Sequence, residues 1–320
     1  MRRVPSVTTR VITRREFVGA SAAIAAALTA PSVAAAQPGG DVIDCHTHFY
    51  DPGRPQGVPW PGKSDTTLYR PVYPRDYKAV AASHGVTGTV VVEASAWLED
   101  NQWILDIARD EPLITGFVGR LTPGDPSFAA GITRFARNPL FRGIRVSGSD
   151  VAGLTDQGRL RDLETLAGHD LSLDVNGNVS SLPAVAAVAK AVPRLRIVVD
   201  HVANVSIDGK APPADWLRGM DAASAQRNVF CKVSGLVEGT GRRGGAPSDV
   251  EFYRPVLDAV WDRFGEERLI YGSNWPVSEL FAPFGTVHQI VSAYFKTRGE
   301  TATRRYFEGN ARTAYKWVKR

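Results

Sequence analysis

Asp44-Cys45-His46-Thr47-His48 follows the apolar pair Val42-Ile43, and its reading decides how the chain is organised. A β-strand sends alternate side chains to opposite faces. On a regular strand Asp44, His46 and His48 share one face, and Cys45 and Thr47 take the other. Two imidazoles two residues apart can converge on one metal ion or one substrate atom. A chance pair on a solvated loop accounts for the same five residues, so the rest of the chain has to decide.

Working outward, short β-rich runs recur with helical segments between them. Residues 41–49 are the first. They are followed by 88–95 (GTVVVEAS), 114–121 (ITGFVGRL), 141–148 (FRGIRVSG), 171–178 (LSLDVNGN), 196–203 (RIVVDHVA), 228–235 (NVFCKVSG) and 268–276 (RLIYGSNWP). Helices are expected over 74–84, with Pro at the start and Gly85 as the stop, over 100–110, and over 182–191. Ser248-Asp249-Val250-Glu251 reads as a capping box opening a helix to Phe264. Two further helices are expected over 286–297 and 301–319. Eight strands alternating with helices predict an α/β fold, a (β/α)8 TIM barrel over 41–320 with extra C-terminal helices. A doubly wound sheet would carry a Gly-rich phosphate loop after strand one, and none is present. The long Pro- and Gly-rich stretch 50–73, holding Trp60, is expected to form a lid or wall of the site. The irregular insert 238–247 (EGTGRRGGAP), just after strand seven, reads as mobile, with two arginines that solvation explains.

In such a barrel the C-terminal strand ends carry the chemistry. Those ends offer His46 and His48, Glu93, Arg120, Arg145, Asn176 and Asn178, Asp200-His201, Lys232 and Ser234, and Ser273-Asn274-Trp275-Pro276. Three of the six histidines fall there. Strand parity directs Asp200 away from His201, towards the helix layer. Trp60, Trp97 and Trp275 offer an apolar or ring-stacking wall, although packing explains them as well.

Five arginines against Glu16 leave +4 on the first 36 residues. The whole chain carries +5, so residues 37–320 are close to neutral, with no broad basic face for nucleic acid. Thr13-Arg14-Arg15-Glu16-Phe17-Val18 resembles a twin-arginine motif. An alanine-rich apolar run and Ala34-Ala35-Ala36 follow it. Residues 1–36 are therefore expected to be an export signal and the mature protein periplasmic, with no membrane span after the signal is removed. Cys45 and Cys231 lie in apolar strand-like runs and are expected to be small buried residues rather than a disulfide.

Asp-x-His-x-His on strand one, VVDH on strand six, NVFCKVSGL on strand seven and RLIYGSNWPV on strand eight together resemble the amidohydrolase superfamily. The resemblance is to its amidohydrolase-related branch, which includes sugar-lactone and pyrone-dicarboxylate lactonases. The resemblance implies a hydrolase that opens a lactone or other carboxylic ester with activated water. Its partner would be a small-molecule lactone or carboxylate. It also implies that His46, His48 and His201 ligate a divalent metal or contact the substrate carbonyl. Three imidazoles suit one Zn²⁺ with a fourth position for water; the branch also holds members that need no metal, so metal-free catalysis stays open. Arg120 and Arg145, and more weakly Lys232, are candidates for a substrate carboxylate, with Trp275 beside them. Where the family usually has a strand-eight Asp as base, this chain has Asn274. Glu93 and His201 are then the candidate bases, with Asn274 orienting water or carbonyl. The absent Asp keeps two alternatives in view, a metal-dependent decarboxylase and a non-catalytic binding protein. Tyr306, Phe307, Tyr315 and Trp317 on the last helix are expected to pack on the barrel or in a homo-oligomer.

Overall fold

The computed structural model describes residues 40–316; the expected export signal and Trp317 lie outside them. Eight parallel strands stand in chain order around the sheet: β1 (Val42–Thr47), β2 (Val86–Val92), β3 (Ile114–Gly119), β4 (Phe141–Ser147), β5 (Ser172–Asn176), β6 (Arg196–Val199), β7 (Val229–Val233) and β8 (Leu269–Tyr271). The seam between β1 and β8 is closed by a parallel bridge between Thr47 and Trp275, and by His48 N–H donating to the Trp275 carbonyl at 2.9 Å. This is the expected (β/α)8 barrel.

The longer helices between strands form because they present an apolar stripe to the sheet. They are α1 (Pro74–Ala81), α2 (Leu98–Arg109), α3 (Phe128–Phe135), α4 (Gly148–Val151), α5 (Gln157–Gly168), α6 (Leu182–Ala191), α7 (Ala214–Ser224), α8 (Leu236–Gly239) and α9 (Val250–Phe264). The cap of α9 is Asp249, whose side chain accepts from the Glu251 amide; this single cap replaces the capping box expected to start at Ser248, since Phe252 has no side-chain acceptor to complete one. After β8 come α10 (Phe284–Lys296), α11 (Glu300–Arg304), a π turn (Arg305–Gly309) and α12 (Asn310–Tyr315), in place of one continuous last helix.

Two apolar layers result. One fills the space between sheet and helices. The other is the barrel interior, where Ile43, Cys45, Val90, Val92, Val118, Val198, Phe230 and Ile270 meet Ala311, Ala314 and Tyr315 of α12. The last helix thus plugs the bottom of its own barrel. Tyr306 stacks on Phe295 at 3.6 Å in the same arrangement. Cys45 and Cys231 are both buried free thiols, on opposite sides of the sheet. No helix of the described residues is long and apolar enough to cross a membrane.

Candidate active site

The opening motif does not behave as a regular strand. The pairing of β1 with β2 slips between Asp44 and Thr47, the signature of a bulge. Asp44 therefore leaves the face it was expected to share with His46 and His48. Its Oδ1 accepts from the Ser273 amide (2.8 Å) and the His46 amide (3.1 Å), and its Oδ2 accepts from the Tyr77 hydroxyl (2.7 Å). Asp44 fastens β1 to β8 and α1. His46 turns inward, beside Lys232 of β7.

Lys232 is the charge at the bottom of the site. Its ammonium lies 2.8 Å from Asp174 Oδ2, 2.9 Å from Asp200 Oδ1 and 3.2 Å from His46 Nδ1, and all four residues are fully buried. The Tyr315 hydroxyl donates to Asp174 Oδ2 at 2.7 Å from below. Burial disfavours the ammonium, but the two carboxylates outweigh it and hold Lys232 above its usual value. Burial likewise pushes Asp200 upward, and the Lys232 charge and His46 more than reverse this, so Asp200 stays ionised.

Asp200 is a correction. It points into the barrel like Val198, two residues earlier on β6, and not towards the helices. His201 reaches the same interior because the chain after β6 makes a left-handed turn. His201, Val202, Ala203 and Asn204 have φ of 55°, 45°, 55° and 47°. Each such non-glycine residue costs roughly 1–2 kcal/mol, and β-branched Val202 is an outlier there. Tertiary contacts hold the turn. Trp216 Nε1 donates to the Val202 carbonyl (2.9 Å), and Asn204 Nδ2 donates to Asn176 Oδ1 (3.0 Å) and the Gly177 carbonyl (2.8 Å). Gly235, at φ 66°, gives the turn room, since a Cβ there would sit 2.7 Å from His201 Cβ.

The three histidines now cluster, with ring centres 5.0 Å apart for His46 and His48 and 4.3 Å for His46 and His201. His48 Nδ1 pairs with the Val92 carbonyl at 2.9 Å, which puts its proton on Nδ1 and leaves Nε2 for the Asn274 side chain; His201 Nδ1 meets Ser234 Oγ at 2.8 Å. Burial, aided by Arg145, lowers His48 to about 3, and burial lowers His201 to about 4. Burial and the Lys232 charge depress His46 well below its usual value. All three are neutral imidazoles at pH 7.

Above them opens a cavity of about 600 Å³, lined by His48, His201, Arg145, Asn274, Glu238 and Arg243, with Trp60 and Asp65 from the long loop as one wall. That loop is tied back by paired hydrogen bonds between Tyr50 and Val72 and by Arg54 gripping Asp100 at 2.9 and 3.0 Å. Asn274, at φ 59°, donates from Nδ2 to Glu238 Oε1 at 2.8 Å.

With the strand-end histidine cluster at the mouth of a closed parallel barrel in place, the amidohydrolase profile matches residues 43–317. The chain belongs to the amidohydrolase family. An L-fucono-1,5-lactonase of Burkholderia ambifaria is 36% identical over 246 residues, which span 76% of this chain and 83% of that one. An L-fucono-1,5-lactonase of Burkholderia multivorans is 30% identical over 272 residues, 82% of this chain and 91% of that one. A zinc-bound crystal structure of an amidohydrolase from Burkholderia multivorans superposes with a TM-score of 0.79 at 27% identity, covering 87% of this chain and all of that one. The protein is a hydrolase of this family.

Within this amidohydrolase, His46, Asp200 and His201 present ligand atoms that all lie within 4.8 Å of one another. His46 Nε2 and Asp200 Oδ2 are buried with no hydrogen-bond partner among the described residues. Two unpartnered ligand atoms beside a second imidazole, His201, fit one divalent cation. A second cation does not fit, because the Lys232 ammonium already sits against Asp174 and Asp200. Asp200 is thus a ligand candidate that sequence reading assigned to the wrong face.

Of the other expected site residues, His48, Arg145 and Asn274 line the cavity. Glu93 is engaged by Arg145, its Oε1 accepting from Nε at 3.0 Å. Arg120 pairs with Asp150 at 3.3 Å and borders a separate hollow of about 50 Å³. Lys232 lies beneath the cavity. Trp275 is buried against Tyr77 and Phe49, with Nε1 donating to Glu279 at 2.7 Å. The structure therefore does not bring Glu93, Arg120, Lys232 or Trp275 to the wall of this cavity. Glu238 is the residue that sequence reading missed. Its signal was there: a carboxylate a few residues beyond a barrel strand's C-terminal end, hidden at the start of a Gly- and Arg-rich insert.

Proposed function

We propose that this hydrolase opens sugar 1,5-lactones and related aldonolactones to their hydroxy acids. The cavity carries this reading. About 600 Å³ suits a single sugar ring, and Asn176, Asn204, Arg145, Arg243 and Asp65 offer hydrogen bonds around its rim. These polar groups, set among Leu68, Val277, Leu280 and Phe281, suit a hydroxylated ring that also carries an apolar face. The relatives named L-fucono-1,5-lactonase support the same substrate class.

The lactone would lie with its carbonyl towards the His48 and His201 edges and its hydroxyls against the asparagines. Trp60, whose ring centre is 5.8 Å from that of His48, would exclude bulk water from above. Zinc or another divalent ion, when bound by His46, Asp200 and His201, supplies Lewis-acid polarisation of a carbonyl oxygen. The twin arginines and apolar run of the first 36 residues support work in the periplasm.

A panel of aldono-1,4- and 1,5-lactones assayed with a pH indicator tests the reading. Acid release well above the spontaneous rate for at least one sugar lactone is expected. Release no faster than the buffer control across the panel refutes it.

A further inference from the structure

We infer that Glu238 is the catalytic acid–base carboxylate of this hydrolase, moved from the end of β8 to the turn after β7, with Asn274 as its positioning partner. The inference rests on the lactone reading above. The side chain at the end of β8 is Asn274, whose amide cannot take a proton at neutral pH. A carboxylate nevertheless stands beside it. Glu238 Oε1 accepts from Asn274 Nδ2 at 2.8 Å, while Oε2 is shielded and has no hydrogen-bond partner among the described residues. Glu238 lines the reaction cavity, and a shielded carboxylate oxygen left without a partner there is costly to keep without a role.

Glu93 is the weaker candidate for the same task, because Arg145 occupies its Oε1 and its backbone carbonyl. His201 is weaker as well, being held by Ser234 and belonging to the candidate metal set with His46 and Asp200. The surroundings of Glu238 suit a group that must both take and give a proton near neutrality. Asn274 faces it from β8 and the Tyr253 phenol from α9, while His48, Asp65, Arg145, His201 and Arg243 share its cavity. None of these cations forms an ion pair with it. Burial raises its carboxyl to about 7, against hydrogen bonds from its own backbone and from Asn274.

The step balances as follows. Water adds its oxygen to the lactone carbonyl carbon as one of its protons passes to Glu238. The tetrahedral alkoxide then collapses, the ring C–O bond breaks, and the Glu238 proton passes to the departing oxygen. The product is a hydroxy acid, which ionises and releases one proton to solvent. No oxidant or further reactant is needed.

The test compares pH–rate profiles of the wild type, E238Q and E238Q/N274D on the lactone that the wild type opens fastest. Carboxyl infrared titrations are run on the same wild-type and E238Q samples. E238Q is expected to lose about 10²–10⁴-fold in kcat, with KM changed less than about threefold, and to lose the limb that rises through pH 7. The double variant, with its carboxylate returned to β8, is expected to regain activity over E238Q. An E238Q enzyme within about threefold of wild-type kcat and with the limb intact overturns the inference. A carboxyl band that titrates near pH 7 in the wild type and is missing from E238Q supports it whether or not any lactone is opened, and no such band overturns it. An inactive wild type that still shows the band refutes the substrate reading alone.

Discussion

Replacing Glu238 by glutamine should make the protein more stable in a way that depends on pH. Glutamine keeps the shape and the acceptor for Asn274 Nδ2 but removes the ionisable proton. The Glu238 carboxyl lies at about 7 in the fold against an ordinary 4.5, with burial as the main cause. A carboxyl raised by folding favours the native state while protonated, and that advantage is lost as pH rises through 4.5 towards 7. The full interval, at about 1.4 kcal/mol per pH unit, is worth about 3 kcal/mol. Most of it falls between pH 5 and pH 8.5, about 2.5 kcal/mol by the same linkage. Urea unfolding of wild type and E238Q at those two pH values checks this. The stability gap between them should open by about 2.5 kcal/mol in favour of E238Q at the higher pH. A gap that stays constant within about 0.5 kcal/mol would refute the claim that Glu238 is held in a site hostile to its charge.

Asp44→Ala should cost about 3–5 kcal/mol, since the Ser273 and His46 amides and the Tyr77 hydroxyl lose their buried acceptor together; a urea midpoint unchanged from wild type would contradict this. Lys232→Met should cost about 3–5 kcal/mol by leaving Asp174 and Asp200 buried without a cation. Adding Asp174→Asn should recover part of that loss in the same unfolding assay, and no recovery would argue against the pairing. In equilibrium dialysis against zinc, the wild type should take up one equivalent. His46→Ala and Asp200→Asn should each weaken uptake about tenfold or more, and unchanged uptake would remove these residues from the ligand set.

Much of the barrel was legible in the residues. β-branched runs at regular intervals, Pro74 and Gly85 around α1, and Pro183 in the first turn of α6 each encode structure locally, so the strand and helix order could be read directly. The site was legible only in part, because its geometry comes from departures from regularity. The bulge that turns Asp44 away from His46 is set by pairing with β2, which no local pattern announces. The left-handed turn at His201–Asn204 opposes the intrinsic preference of Val202 and exists through Trp216 and Asn176, distant in sequence. Glu238 looked like the first residue of a solvated loop. What lifts it into the site is the hydrogen bond to Asn274, 36 residues later.

Tyr315 plugs the barrel floor and touches Asp174, and through it Lys232 and Asp200. This ties the charge balance of the site to nearly the last described residue. The contact joins residues 141 positions apart, and the Asp44–Ser273 seam spans 229. A chain emerging from the ribosome can therefore make individual β/α units early, but it cannot seat the lysine between its two aspartates until α12 has arrived. The hydrolase should gain activity in a single late step of folding, and fragments lacking α12 should be inactive even where most strands have formed.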